Sequence, residues 1–229
     1  MVQRPLILGP MFVAAIFAAI IYLFWPTFYV LIDLAGTPAD NFTHRTLVLP
    51  VFFALLWSQR FELAALPVRG VWWGLAGLIG AGSLWLTGEL VFARVLTDLA
   101  VIAMVPVAVL TVLGARWLAA LAFPLAFLFF AVPAEGPLVP SLVNWTAKAA
   151  FVSIQASGVP IYREGAYFVI PSGGWAVADT CSGIKHLVTS VMLGVLYAWS
   201  MYRSTQKRII FFGGAVVIGI FGNWIRVYL

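Results

Sequence analysis

The residue best suited to chemistry by type and position is Cys181, the only cysteine in the sequence. A strand-like segment precedes it and an apolar helix follows it, so it lies near a helix N-terminus. The helix dipole favours negative charge there, and Lys185, four residues on, adds a positive charge. His186 approaches the thiol if the first helical turn is irregular. This pattern favours a nucleophilic thiolate; the alternative is a packed thiol capped by Thr180.

A second candidate is Arg226, which follows Asn223-Trp224-Ile225 near the end of another apolar run. An arginine at this position is costly unless it reaches water or a partner. It either anchors the helix end by extending its guanidinium to water, or it serves catalysis. In the second case it would hold a thiolate, or it would donate to the oxyanion that forms when a thiolate attacks a carbonyl.

Two further pairs of charged residues are candidates for a site or for a structural role, and several catalytic motifs are missing from the sequence. Arg163 and Glu164 lie in a hairpin-like segment, where they are either solvated or in contact with a substrate. Arg94 and Asp98 stand four residues apart on a helix, which predicts a structural ion pair. The sequence has no phosphate-binding glycine loop, no HExxH, no metal-binding His/Cys spacing and no GxSxG elbow. It therefore predicts neither a metal nor a cofactor.

The composition is that of a membrane protein. Of 229 residues, 63% are apolar and 9% are charged, whereas soluble domains carry about 25% charged residues. The excess apolar surface must face lipid, and the ten tryptophans and seven tyrosines suit the lipid–water interface. The formal net charge of +5 comes from basic residues scattered singly among apolar runs, which argues against nucleic-acid binding.

The apolar runs predict an all-α polytopic membrane protein that forms a single transmembrane domain. A spanning helix needs about 20 mostly apolar residues, and the N-terminal run is too long and lacks a cleavage site for a signal peptide. We predict about seven spans, at 6–30, 46–58, 71–88, 95–113, 117–132, 183–200 and 209–228.

The segment 133–182 interrupts this pattern with prolines and glycines. Within it, residues 141–157 place Leu142, Trp145 and Val152 on one side of a helix and polar residues on another, which predicts an amphipathic helix at the membrane interface. The stretch that follows predicts a short hairpin around a turn at 171–174. We expect this insert to lie at the outer face.

The basic residues give an orientation. With a cytoplasmic N-terminus, seven of the 13 lysines and arginines lie inside and six outside, and the cluster Arg203, Lys207 and Arg208 lies in a short inner loop. The last two spans are then antiparallel neighbours, so Cys181 and Arg226 share the outer face. If 141–157 crosses the membrane, the two residues still share a face, but it is the cytoplasmic one.

These residues resemble the exosortase/archaeosortase family. The family pattern reads roughly A-C-S-G-[I/L]-[R/K], a span, a basic loop and N-x-x-R. The sequence has Thr180-Cys181-Ser182-Gly183-Ile184-Lys185, the loop 203–208 and Asn223-Trp224-Ile225-Arg226. Thr180 replaces the usual alanine. Looser matches extend the resemblance over nearly the whole chain, including Gly158-Val159-Pro160 and Arg163-Glu164-Gly165.

The resemblance implies a multi-spanning inner-membrane cysteine protease or transpeptidase that processes C-terminal sorting signals of the PEP-CTERM type on exported proteins. Such proteins often act alongside exopolysaccharide export. The nucleophile of the family maps onto Cys181 and its first catalytic arginine onto Arg226. We expect the substrate to be contacted by Ser182, Gly183, Lys185, Asn223, Arg163 and Glu164.

The family also has a third catalytic residue, usually a histidine, beyond the N-x-x-R motif. The sequence ends at Leu229, three residues past Arg226, so we expect a truncated chain in which that residue is missing. In the alternative, His186 takes over its role.

A rival hypothesis from another class is a non-catalytic membrane module, either a transporter subunit or an assembly factor for exopolysaccharide or protein export. No inverted repeat and no further mid-span charge support a transporter. An enzyme needs Cys181, whereas a transporter or scaffold should tolerate its replacement.

Overall fold

The computed structural model describes residues 8–36, 45–133 and 136–228, and the chain divides into two compact units, Met1–Pro133 and Ala134–Leu229. The helices of the first unit are α1 (Leu8–Leu23), α2 (Trp25–Gly36), α3 (Arg45–Ser58), α4 (Arg60–Ala65), α5 (Gly74–Leu90), α6 (Arg94–Val112), α7 (Ala115–Ala120), α8 (Ala122–Phe127) and a 3-10 turn, Leu128–Ala131.

The second unit carries every residue expected at the site. It contains a 3-10 turn (Gly136–Leu138), α9 (Val139–Ala156), β1 (Tyr162–Glu164), β2 (Tyr167–Ile170), β3 (Gly173–Ala176), a 3-10 turn (Asp179–Cys181), α10 (Ile184–Met201) and α11 (Thr205–Tyr228).

Three helices among the described residues are long and apolar enough to cross a membrane, namely Arg94–Val112, Asp179–Met201 and Thr205–Tyr228. Their positions agree with the predicted spans 95–113, 183–200 and 209–228. The other four predicted spans do not meet this length and composition in the described part of the chain. Two of them are the shorter apolar helices Gly9–Leu23 and Arg45–Ser58.

Two predicted spans are broken, and proline accounts for the position of each break. In the predicted span 6–30, α1 ends at Leu23 and α2 begins at Trp25, one residue before Pro26. The predicted span 117–132 breaks at Leu121, and Pro124 lies in the first turn of the helix that follows. Proline lacks the N–H that would bond back into a preceding helix, so it is best placed in a first turn.

In the first unit, α5 and α6 pack closely because small residues of α5 face α6. A side chain at Gly74 would meet Thr111 at 3.1 Å, and one at Gly88 would meet the Thr97 backbone at 2.9 Å. Such contacts let helix backbones approach in an apolar setting. The predicted pair on α6 is present: Asp98, 1% exposed, lies 3.2 Å from the Nε of Arg94.

The three strands of the second unit form an antiparallel meander in the order β1-β2-β3. The sequence predicted two strands at the 171–174 turn. Strands β2 and β3 pair across that turn, and β1 is an addition to the predicted hairpin. Arg163 fixes the added strand, since its Nε donates to the carbonyl of Gly165 at 2.7 Å in the turn between β1 and β2.

Helix α9 occupies the predicted amphipathic segment but packs against its unit with a different face. Its buried residues are Val143, Thr146, Ala147 and Ala150. Of the apolar residues that defined the predicted face, Trp145 and Val152 are exposed and Leu142 is partly exposed. The helix therefore has two apolar sides, of which one is covered by protein and the other is left for an apolar environment.

Candidate functional site

The turn that carries Cys181 is held by its own backbone. The N–H of Cys181 donates to the carbonyl of Ala178 at 2.8 Å, and the N–H of Ser182 donates to the carbonyl of Asp179 at 3.1 Å. Helix α10 begins two residues after Ser182, and the N–H of Ile184 donates to the Ser182 hydroxyl at 3.4 Å. Ser182 is 3% exposed, so its hydroxyl is a buried cap of the helix.

Gly183 is the residue that allows this turn to meet α10. Its φ of +78° lies in the left-handed region, which side chains other than glycine rarely adopt. A Cβ at this position would also lie 2.7 Å from the Cβ of Asn223. Both the backbone conformation and the approach of α11 therefore require glycine, which explains the Ser-Gly pair after the cysteine.

The side chain of Cys181 is half-buried and packs against a small apolar cluster. The cluster joins α9, the sheet and the end of α11, through residues such as Val143, Ala147, Phe168 and Val227. The hydroxyl of Thr180 lies 4.0 Å from the sulfur. The thiol thus has one packed side and one side open to a reactant.

Asn223 of α11 ties the turn to two helices. It is 2% exposed, and its Nδ2 donates to the carbonyl of Cys181 at 3.0 Å and to the hydroxyl of Thr146 at 3.3 Å. Its Oδ1 is buried and accepts no hydrogen bond from the described residues. Asn223 therefore positions the turn that carries Cys181.

Arg226 lies one helical turn beyond Asn223 on the same side of α11, at the exposed rim of the turn. Its Nη2 donates to the carbonyl of Thr180 at 3.4 Å. The structure therefore brings Arg226 to the residue adjacent to Cys181, from 46 positions away in the sequence. A guanidinium at this place can attract a thiolate or donate to an oxyanion that forms beside the sulfur.

Lys185 and His186 are exposed on the first turn of α10. Cys181 precedes α10, and Gly183 interrupts the helical path between them with its positive φ, so the four-residue spacing of Lys185 from Cys181 is not one turn of a continuous helix. Among the described residues, His186 has no hydrogen-bonding or ionic partner.

Arg163 and Glu164, expected at the substrate, lie on β1. The guanidinium of Arg163 donates to the carbonyl of Asn144 at 3.4 Å and to its side-chain oxygen, and so attaches β1 to α9. Glu164 is exposed. The observed contacts give Arg163 a structural task in the sheet.

Sequence reasoning missed Thr146 and Tyr228. Thr146 is buried on α9, and its hydroxyl accepts a hydrogen bond from Asn223. The hydroxyl of Tyr228 lies 2.6 Å from the hydroxyl of Ser157, the residue that follows α9. The available signal was weak: a threonine on the less apolar side of an amphipathic helix. Both contacts attach the C-terminal part of α11 to α9 and so set the position of Arg226, which lies between Asn223 and Tyr228 on α11.

The chain was compared with known protein families, curated proteins and solved structures. The sequence model of the transmembrane exosortase family (Exosortase_EpsH) matches residues 35–229, which include all of the second unit. A search of curated proteins and a search of solved structures each found no match.

Proposed function

Because the chain belongs to the transmembrane exosortase family, we propose that it is a membrane-embedded cysteine protease or transpeptidase. Its substrates are exported proteins with a C-terminal sorting signal of the PEP-CTERM type. Such a signal has a short Pro-Glu-Pro-like motif, one transmembrane helix and a basic tail. Cleavage takes place just outside the substrate's helix, at the outer face of the inner membrane.

The observation that carries this proposal is the hydrogen bond from Arg226 to the carbonyl of Thr180, next to Cys181. The guanidinium of Arg226, a permanent cation, thus contacts the residue that precedes a half-buried thiol, at one end of two apolar helices. Asn223 stabilises the same turn, because its side-chain amide donates a hydrogen bond to the carbonyl of Cys181. A purely structural cysteine has no need of an exposed arginine at its turn.

The first step is attack of the Cys181 thiolate on a peptide carbonyl of the signal, which forms a C–S bond and a tetrahedral oxyanion. Arg226 donates to that oxyanion and lowers the barrier. The thiol proton passes first to an imidazole; when the oxyanion collapses, the C–N bond breaks, and the resulting imidazolium gives that proton to the leaving amine. We assign this transfer to the family's third catalytic residue beyond the N-x-x-R motif or, in its place, to His186 on the first turn of α10.

The second step releases the thioester. Water gives a free carboxylate and regenerates the thiol, and a second amine gives a new amide bond. In both cases the incoming nucleophile loses a proton to the same imidazole.

The test is processing of a reporter that carries a PEP-CTERM-type signal, followed by mobility on gels in cells that contain this protein. We expect Cys181→Ala and Cys181→Ser to abolish processing, while Ser204→Ala, in the loop between α10 and α11, retains it. Equal membrane levels of the variants exclude loss by misfolding. Normal processing by Cys181→Ala would leave the non-catalytic export module as the better hypothesis.

Mass spectrometry of the processed reporter in H2¹⁸O separates the two chemistries. Hydrolysis places one ¹⁸O in the new C-terminal carboxylate. Transpeptidation yields an amide-linked product without label.

A further inference from the structure

A groove of about 760 Å³ runs between α10 and α11, away from the Cys181 turn. It begins near Ser190 and Ile218 and ends near Met201 and Ile210, so it follows the halves of the two helices nearest their connecting loop. This size falls in the range of small-molecule sites, roughly 300–1,000 Å³.

The two serine hydroxyls that line the groove already donate to backbone carbonyls. The hydroxyl of Ser190 donates to the carbonyl of Ala215 at 2.8 Å, and the hydroxyl of Ser200 donates to the carbonyl of Leu196 at 2.7 Å. The ring of Tyr197 stacks on Phe211, with ring centroids 4.9 Å apart. The groove therefore offers apolar contacts, which suit a hydrocarbon chain.

One end of the groove is basic. On α11, Lys207 lies on the same helical stripe as the groove residues Ile210, Phe211 and Gly214, at spacings of three, four and seven residues. Arg203 follows Met201 by two residues in the loop.

The two cations are exposed, and neither has an ionic partner in the described part of the chain. Arg208 differs from them, because its guanidinium donates to the carbonyls of Tyr202 and Trp199 and so caps the end of α10. The groove is therefore apolar along its length and carries two positive charges at one end. An anionic amphiphile has the complementary chemistry, with a hydrocarbon chain and a negatively charged headgroup.

We propose that this groove binds an anionic phospholipid, with an acyl chain between α10 and α11 and the phosphate at Arg203 and Lys207. In the proposed orientation, this end faces the cytoplasmic leaflet, where basic residues near the surface attract anionic headgroups. The charge complementarity favours a lipid over a substrate helix with a basic tail, which the two cations would repel. The lipid site is independent of cleavage at Cys181.

The test is native mass spectrometry of the intact protein in detergent, incubated with phosphatidylglycerol or with phosphatidylcholine of the same chain lengths. We expect retention of phosphatidylglycerol to exceed that of phosphatidylcholine by on the order of tenfold. Arg203→Gln with Lys207→Gln should remove this preference.

Gly214→Leu should fill the groove and reduce retention of both lipids. Gly213→Leu is the matched control, because both glycines are exposed with open space at the Cβ position and only Gly214 lines the groove. Equal retention in these two variants would overturn the proposal. So would equal retention of the two lipids by the unmodified protein. Loss of reporter processing in Gly214→Leu, with lipid retention unchanged, would also overturn it and assign the groove to the substrate helix.

Discussion

The Nδ2 atom of Asn223 lies 3.0 Å from the carbonyl oxygen of Cys181, so the buried amide of α11 holds the backbone of the candidate nucleophile directly. The same nitrogen also donates to Thr146 of α9. One side chain therefore joins two helices to the Cys181 turn. Because Arg226 lies one helical turn further on α11, this joint also sets the position of the guanidinium.

Replacement of Asn223 tests this joint. Asn223→Ala should destabilise the protein by about 1–3 kcal/mol, because buried acceptors lose their donor. Asn223→Asp should be worse, since a carboxylate cannot donate to the carbonyl of Cys181 and is costly to bury. Thermal unfolding in detergent measures stability, and the reporter measures processing. An Asn223→Asp protein with normal stability and processing would contradict the assigned role.

Arg226 should affect catalysis more than folding, because it is exposed and makes one long hydrogen bond. We expect Arg226→Ala to lower the rate of processing by about 10²–10³-fold, as for loss of an oxyanion donor. Arg226→Lys should retain part of the rate, because it keeps the charge but not the planar donor fork. Single-turnover rates with purified protein give the values. Equal rates for Arg226→Ala and the unmodified protein would exclude a role in the reaction.

Gly183→Ala should destabilise the Cys181 turn. The left-handed backbone costs a residue with a Cβ about 1–2 kcal/mol, and the new methyl group would contact Asn223. Gly222→Ala is the control, because Gly222 precedes Asn223 on α11 with open space around its Cβ position. We expect reduced unfolding temperature and reduced processing for Gly183→Ala alone. If both variants unfold at the same temperature, the requirement for glycine at 183 is disproved.

Thiol labelling in intact cells tests the orientation. Cys181 is the only cysteine in the sequence, so a membrane-impermeant maleimide attached to the purified protein reports on this position alone. We expect labelling from outside. Ser204→Cys in a Cys181→Ser background places the thiol in the basic loop, and we expect it to be labelled only after the membrane is opened. The reverse pattern would place Cys181 and Arg226 at the cytoplasmic face.

The labelling rate also tests the pairing of the two residues. At a fixed pH, a thiolate held by Arg226 should react faster than the same thiol in Arg226→Ala, since the thiolate is the reactive form. Arg163→Ala serves as a control, because Arg163 bonds to Asn144 and Gly165 in the sheet. An unchanged rate in Arg226→Ala would count against a thiolate held by this arginine.

Local sequence patterns were sufficient to predict the membrane character, the helices that flank the site and the residues with reactive groups. Continuous apolar runs predicted α6, α10 and α11 to within a few residues, because a membrane-spanning helix satisfies its own backbone and needs only local hydropathy. The antiparallel arrangement of the last two helices, joined by a short loop, was enough to predict that Cys181 and Arg226 share one end.

Which faces of the helices pack against one another follows from long-range contacts that are visible only in the folded protein. The contact of Asn223 with Thr146 joins residues 77 positions apart, and no local pattern shows it. The apolar pattern predicted that α9 is amphipathic but not which of its residues pack against protein, and the structure buries Val143 and Ala147 while Trp145 stays exposed. The four-residue spacing of Cys181 and Lys185 could not predict their relation, because helical spacing applies only inside a helix. Gly183, in a left-handed conformation next to α11, separates the Cys181 turn from α10, which begins at Ile184.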